Sequence, residues 1–157
     1  MKERIALLCR ALRAGQPAVT ALVTGCRGAT PRSPGALLVL TAEAVAGTVG
    51  GGQAEHDILA PAQEMLGSGP AVQQGWHQCL SAEELRHMGQ EYGGEEEILL
   101  LRWTSQDLPL AEQMVLAMEQ NADCSLQIEY KEGCWRGTLL PEAVTTAAAG
   151  RFTLKLQ

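Results

Sequence analysis

The sequence predicts an α+β fold, a single domain in which helices cover a mixed β-sheet. Two observations predict it. Apolar runs of strand length alternate with segments whose apolar residues recur at helical spacing, and clusters of turn residues separate them. At 157 residues the chain is long enough for one core and short for two ordinary domains, so we expect one domain over residues 1–157.

The amino-terminal half is predicted to contain two helices and three strands. Ile5, Leu8, Cys9 and Leu12 share one helical face, and Gly15 follows as a stop. The predicted strands are residues 18–23, 36–40 and 44–49. The glycines and prolines of residues 25–35 are predicted to prevent regular structure between the first two strands.

The second helix, which ends at Gly67, has two possible starts. If it begins directly after Gly52, Pro61 lies in its interior and should kink it. If Asp57 caps it, Pro61 falls among the first residues, whose amides have no intrahelical acceptor. The sequence leaves both interpretations open.

The carboxy-terminal half is predicted to contain two further helices and several strands. Ser81 and Glu84 form a capping box, which predicts a short helix from Ala82 to near Gly89. Apolar residues at helical spacing predict another helix over residues 110–118. The predicted strands are residues 98–101, 124–130, 135–140 and 152–156.

Charge and composition exclude several classes of function. The net charge of −6 provides no basic stripe for nucleic acid. The amino terminus lacks the uninterrupted apolar region of a signal peptide, and no stretch approaches bilayer length, so no membrane association is expected. Five scattered cysteines without a C-x-x-C pair indicate reduced thiols in a cytoplasm rather than a disulfide framework or zinc site.

Gly50, Gly51 and Gly52 are not explained by ordinary packing. They follow a strand end, precede a helical pattern and carry a large backbone entropy loss on folding. A strand, bare amides and a helix start form the geometry of an anion cradle, although a loop hinge or a tight hairpin would also use three glycines. The spacing matches neither the Rossmann nor the phosphate-loop motif.

Two segments in order resemble the signature of the XdhC/CoxI family. They are residues 27–35 (RGATPRSPG) and 47–56 (GTVGGGQAEH). The family pattern is Gly-Ser-x-Pro-Arg-x-x-Gly followed by Gly-Thr-Ile-Gly-Gly-Gly-x-x-Glu. Residues 88–95 (MGQEYGGE) lie where the family tends to have Gly-Gln-x-Cys-Gly-Gly, so order and intervals agree.

The resemblance implies a cofactor chaperone. Members of this family are accessory factors that bind the molybdenum cofactor (molybdopterin), support its sulfuration and hand it to a molybdenum hydroxylase apoenzyme such as xanthine dehydrogenase. The chain is thus expected to carry the cofactor as transient cargo, to form a homodimer by analogy, and not to be an enzyme. Family members continue into a second, Rossmann-like domain, for which this sequence has no motif.

Three positions depart from the family pattern. Ala29 replaces the motif serine, Gln53 occupies a position that is cysteine in some members, and Tyr92 stands where the cysteine of Cys-Gly-Gly would be. A thiolate is the natural ligand or sulfur carrier for a soft metal centre, and tyrosine serves in neither role. Sulfur transfer by this chain is therefore not expected.

The resemblance places cofactor binding between the two motif loops. The candidate residues are Gly28, Thr30, Pro31, Arg32, Gly35, Gly50, Gly51, Gly52 and Glu55. Arg32 could hold a phosphate or carboxylate with its guanidinium fork, or be a solvated loop charge. Glu55 could read the pterin edge or orient the loop, or be a first-turn glutamate that favours the helix dipole. His56 is interpreted as a surface residue.

Other chemistry-bearing residues are given packing or solvent roles. Cys26 could replace the missing thiol if the loops converge, but a lone cysteine is more often a small buried hydrophobe. The acidic run at residues 95–97 is interpreted as a solvated strand entrance, because adjacent strand residues point to opposite faces.

The sequence therefore predicts an accessory factor that binds the molybdenum cofactor and helps its insertion into a hydroxylase. The main alternative is a degenerate interaction or regulatory module of the same fold that no longer handles cofactor. An enzyme acting on a phosphorylated small molecule is a third reading, but it lacks a convincing set of acid, base and nucleophile.

Overall fold

The computed structural model describes residues 1–89 and 93–157, and over these residues the α+β class is confirmed. The helices are α1 (Lys2–Arg13), α2 (Gln53–Gly67), α3 (Ala82–His87) and α4 (Leu108–Glu119). The strands are β1 (Ala18–Arg27), β2 (Leu37–Thr41), β3 (Val45–Gly47), β4 (Val72–Gln78), β5 (Glu95–Trp103), β6 (Ser125–Lys131), β7 (Cys134–Leu140), β8 (Thr146–Ala148) and β9 (Arg151–Lys155).

The strands form two sheets in which every described pair is antiparallel, instead of one mixed sheet. The first sheet has the order β3-β2-β1-β5-β4, and the second has the order β7-β6-β9-β8. Short turns join β2 to β3, β6 to β7 and β8 to β9; in the turn between β6 and β7, Glu132 and Gly133 have positive φ angles of 51° and 80°. Parallel pairing would have required long crossovers, which these short turns do not provide.

The first sheet is covered on both faces. On one face, α2 packs Ile58 and Met65 against Val19, Val23 and neighbouring strand residues. On the other face, α1, α4 and the second sheet enclose a larger core. None of the described helices combines the length and the apolar character needed to cross a bilayer.

Several strands differ from the sequence prediction; β5, for example, spans Glu95–Trp103 instead of residues 98–101. β1 continues to Arg27 because its end pairs with β5, after a bulge between Val23 and Gly25. β4 and β8 were not predicted because they are edge strands: β4 is largely polar, and all three residues of β8 are exposed. Exposure on both faces removes the apolar alternation by which strands are recognised.

Helix α2 begins at Gln53, directly after Gly52, so the first of the two interpretations is confirmed. The Gln53 N–H donates to the Cys79 carbonyl at 3.0 Å, and the His56 N–H donates to Gly52 at 3.1 Å. Pro61 therefore lies inside the helix, where its ring removes one intrahelical hydrogen bond.

The buried Trp103 indole is a polar group that the core must satisfy. Its N–H donates to Thr20 Oγ1 at 3.0 Å between β5 and β1. Thr20→Val should remove this acceptor and lower the free energy of unfolding by about 1–3 kcal/mol. Urea denaturation would show this, whereas Thr20→Ser, which retains the hydroxyl, should lose less. Equal losses in the two variants would mean that the hydrogen bond contributes nothing.

Candidate functional site

The motif segments, which are distant in sequence, meet at one place. A methyl group on Gly50 would lie 2.6 Å from Pro31 Cγ, and a methyl group on Gly94 would overlap the Ala29 carbonyl oxygen. Gly28 adopts a φ angle of +68° and lies against Gly94. Residues 28–32, 50–52 and 93–94 therefore form one cluster, which we call the loop junction.

The backbone of Cys79 links two of these segments. A methyl group on Gly52 would lie 2.5 Å from the Cys79 carbonyl oxygen, which also accepts the Gln53 N–H. The Cys79 N–H donates to the Gly94 carbonyl at 2.9 Å. Two of the three adjacent glycines, Gly50 and Gly52, are thus explained by close packing. Gly51 has open space around it and a φ angle of +72°, which favours glycine.

The prediction of an anion cradle made of bare amides is wrong for Gly50 and Gly51. The Gly50 N–H donates to Thr48 Oγ1 at 2.9 Å, and the Gly51 N–H donates to Glu55 Oε1 at 3.3 Å. The Val49 N–H also donates to Glu55 Oε1, at 2.9 Å. The turn has the geometry of an anion-binding site, but the Glu55 carboxylate of the chain itself occupies it.

Glu55 therefore orients the loop. Its Oε1 atom accepts the hydroxyl of Thr48 at 2.5 Å in addition to the two amides. This arrangement corresponds to the loop-orienting alternative considered from the sequence. A contact between Glu55 and a ligand stays a prediction.

Loss of the Glu55 carboxylate should loosen the glycine turn. In Glu55→Ala, the Val49 and Gly51 amides lose their acceptor, so their hydrogen exchange should accelerate by about tenfold or more. Glu55→Gln keeps an acceptor oxygen at the same position and should retain much of the protection. Unchanged exchange of both amides in Glu55→Ala would contradict this account of the turn.

Arg32 faces an open hollow beside the loop junction. The hollow has a volume of about 460 Å³, and its other lining residues include the charged Glu3 and Arg4 as well as Gly35, Gly47 and Thr48. In the described part of the chain, Arg32 has no carboxylate within ion-pair distance. The hollow is not lined by Gly50, Gly51 or Gly52, so those glycines and the Arg32 side chain do not share it.

The Arg32 loop is held by its own side chains. Thr30 Oγ1 donates to the Arg32 carbonyl at 2.9 Å, and Cys26 Sγ donates to the same oxygen at 3.3 Å. Gly35 has a φ angle of +103°, and its N–H donates to the Val23 carbonyl at 2.8 Å. These bonds fix the backbone of the loop and leave the Arg32 guanidinium exposed.

Glu96 is a functional candidate that the sequence interpretation missed. Its side chain is fully buried, and within residues 1–89 and 93–157 neither carboxyl oxygen has a hydrogen-bond partner. A methyl group on Gly50 would lie 3.7 Å from Glu96 Oε1, which places the carboxyl beneath the loop junction. Burial raises the pKa of Glu96 above its ordinary value; the Arg32 backbone N–H and guanidinium oppose the shift, and Glu55 adds to it.

The interpretation of residues 95–97 as a solvated strand entrance is wrong for Glu96. Glu95 lies 3.8 Å from Arg27, and Glu97 accepts the Thr24 hydroxyl at 2.9 Å. Glu96 lies between them in sequence and points to the opposite face. A period-two pattern with the buried Ile98 and Leu100 would have identified it.

The Cys79 thiol near the junction is not activated. Burial, followed by the charge of Glu96, raises the pKa of the Cys79 thiol to about 11, so the thiol is protonated at neutral pH. Cys26 is half-buried. In residues 1–89 and 93–157, no group of three or more His, Cys, Asp and Glu side chains could hold a metal ion. Tyr92, at the family cysteine position, lies outside the described residues.

A known protein family matches the part of the chain that contains the two motif loops. Residues 11–74 match the model of the XdhC and CoxI family. The predicted resemblance to the XdhC and CoxI family is therefore confirmed. The matched segment contains both the Arg32 loop and the glycine turn, so the XdhC and CoxI signature coincides with two of the three parts of the loop junction.

A crystal structure described as a xanthine dehydrogenase from Bacillus halodurans has a similar fold. The TM-score is 0.70 at 14% sequence identity, and the match covers 98% of this chain and 52% of that one. At this identity the likeness shows a shared fold, and the present chain spans about half the length of the Bacillus protein. No curated protein matches the chain.

Proposed function

We propose that this chain is an accessory factor that binds the molybdenum cofactor as transient cargo and supports its insertion into a molybdenum hydroxylase such as a xanthine dehydrogenase. The observation that carries the proposal is the convergence of the motif segments at the loop junction. The two segments within the family match pack directly against each other through Pro31 and Gly50. The third segment reaches the same place through Gly94.

The proposed anion site is the hollow that Arg32 and Arg4 line, together with the carboxylate-bearing Glu3. The Arg32 guanidinium fork, which pairs with no carboxylate of residues 1–89 and 93–157, can hold the phosphate of molybdopterin through two parallel hydrogen bonds. Arg4 adds a second positive charge, although its Nη1 already donates to the Leu37 carbonyl at 2.9 Å. Arg32 thus replaces the glycine amides as the group proposed to hold the anion.

The proposed role is sequestration, without chemistry on the cargo. The protonated Cys79 thiol is a poor sulfur carrier. The described residues also provide no cluster that could ligate a metal. The chain would hold the cofactor by its polar groups and release it unchanged to the apoenzyme, which is its proposed partner.

Arg32 can be tested against a matched arginine. Arg32→Gln should weaken binding of the molybdenum cofactor by about ten- to a hundredfold, because a charge-assisted hydrogen bond to phosphate is lost. Arg27→Gln is the control, since Arg27 lies 3.7 Å from the centre of the Trp76 ring, outside the hollow. Equal affinities of the two variants would contradict the role of Arg32.

A second candidate function is an interaction or regulatory module that does not handle cofactor. The internal pairing of the Gly50 and Gly51 amides favours it. Incubation of an apo-hydroxylase with limiting cofactor, with and without this chain, separates the two functions. A chaperone should raise the recovered activity and bind cofactor itself, whereas a regulatory module would change activity without binding cofactor.

A further inference from the structure

Glu96 is the most unusual side chain at the loop junction. It is fully buried, both carboxyl oxygens lack a partner among the residues that the structure describes, and it lies on the α2 face of the first sheet, in alternation with Ile98 and Leu100. Buried polar groups in folded proteins are nearly always hydrogen-bonded, because the unpaired group loses its contacts with water. Such a carboxyl is free to accept hydrogen bonds from a ligand.

Several donors of the neighbouring loops in residues 1–89 and 93–157 are committed to other acceptors. They are the Thr30 and Thr48 hydroxyls, the Cys26 thiol, and the amides of Val49, Gly50, Gly51 and Cys79. The Arg32 backbone N–H lies near enough to lower the pKa of the Glu96 carboxyl, but it makes no hydrogen bond of good geometry with either oxygen.

Glu96 lies beneath two loops that touch without a hydrogen bond between them. In the described residues, the loop of residues 28–35 and the turn of residues 48–52 touch through Pro31 and Gly50, and no hydrogen bond joins one segment to the other. Gly50 presents no side chain above the carboxyl. Separation of the two loops at this contact would therefore break no hydrogen bond between them.

We propose that the Glu96 carboxylate accepts the paired N–H donors of a 2-amino-4-oxopyrimidine edge, the edge that pterins and guanine share. Two carboxylate oxygens match two adjacent parallel N–H groups. The inference rests on the proposed function, in which the cargo carries a pterin ring at one end and a phosphate at the other. Glu96 beneath the junction and Arg32 in the neighbouring hollow are placed to bind these two ends.

Pterin and lumazine are the probes that test this pairing. Lumazine has an oxygen in place of the 2-amino group, so it offers one donor beside one acceptor. Wild-type protein should bind pterin at least tenfold more tightly than lumazine in a fluorescence titration. Glu96→Gln should reverse this preference, because the glutamine amide accepts from the ring N–H and donates to the lumazine oxygen.

Glu97→Gln is the matched control, since Glu97 bonds to Thr24 on the opposite face of the sheet. It should leave both affinities unchanged. A structural role of Glu96 would weaken pterin and lumazine binding equally in Glu96→Gln and would overturn the inference. The wild-type preference between the two probes tests the pairing even where the variant fails to fold.

Titrations with cofactor and with guanosine separate this inference from the proposed function. Cofactor binding without any preference for pterin over lumazine would overturn the inference and leave the proposed function standing. Loss of binding to cofactor and to pterin alike would overturn both. Guanosine that binds as tightly as pterin, with the same reversal in Glu96→Gln, would support the recognised edge and identify a nucleotide as its source.

Discussion

Gly94→Ala is expected to destabilise the domain by about 1–3 kcal/mol or more, measured as the free energy of unfolding in urea. The added methyl group would overlap the Ala29 carbonyl oxygen and approach Thr30 Cγ2 to 3.0 Å. Backbone atoms yield less than the ends of flexible side chains. The 28–32 loop would therefore have to move, and the loop junction would open.

Gly67→Ala is the control for that experiment. Gly67 is the last residue of α2, and a methyl group there would meet no atom within 4 Å. Alanine is a better helix former than glycine, so the control should be as stable as the wild type or slightly more stable. Similar losses in the two variants would show that the contact between Gly94 and Ala29 is unimportant.

Glu96→Met is expected to raise the free energy of unfolding at neutral pH by about 1–3 kcal/mol. Methionine is similar in length and shape to glutamate, and it replaces an unpartnered carboxyl with an apolar group among Ile98 and its neighbours. A variant that is no more stable than the wild type would show that the carboxyl already has a partner in solution.

The pH dependence of the free energy of unfolding should also differ between the wild type and Glu96→Met. Because the pKa of Glu96 is higher in the folded state than in the unfolded chain, the folded state binds the proton more tightly. The wild type should therefore lose stability as pH rises through and above the unfolded pKa of about 4.3, until the folded pKa is passed. The difference between the wild type and Glu96→Met should be smallest in acid and grow across that window.

Other titratable groups contribute to this comparison where they are coupled to Glu96. Arg32 and Glu55 act on Glu96, the charges of Glu96 and Glu95 raise the pKa of Cys79, and Cys26 and His77 pair with Glu96 across the sheet. Burial raises the pKa of Cys79 and lowers that of His77. The difference between the two stability curves therefore contains the titration of Glu96 together with its coupling to these groups.

Local sequence signals predicted much of the fold. The apolar face of α1 and the capping box of Ser81 are short-range patterns, and both have the predicted structure. The division of the strands into two sheets was not predictable, because it depends on which edges pair at a distance. The polar strand β4 was missed for the same reason: its strand identity comes from pairing with β5.

The proximity of the two motif loops was predicted, whereas the hydrogen bonding of the glycine turn was not. The motif order correctly brought Pro31 and Gly50 together. Nothing in the spacing showed that Glu55 would fold back onto the turn and occupy the amides. Glu96 was obscured by its neighbours, because a run of three acidic residues resembles a solvated surface although alternate residues face opposite sides.

A titration of the purified protein with molybdenum cofactor tests the central claim most directly, with circular dichroism to verify the fold. The account predicts saturable binding that Arg32→Gln and Glu96→Gln both weaken, while Arg27→Gln and Glu97→Gln retain it. A folded wild-type protein without measurable binding would contradict the account, and the degenerate module would then be the better description of this chain.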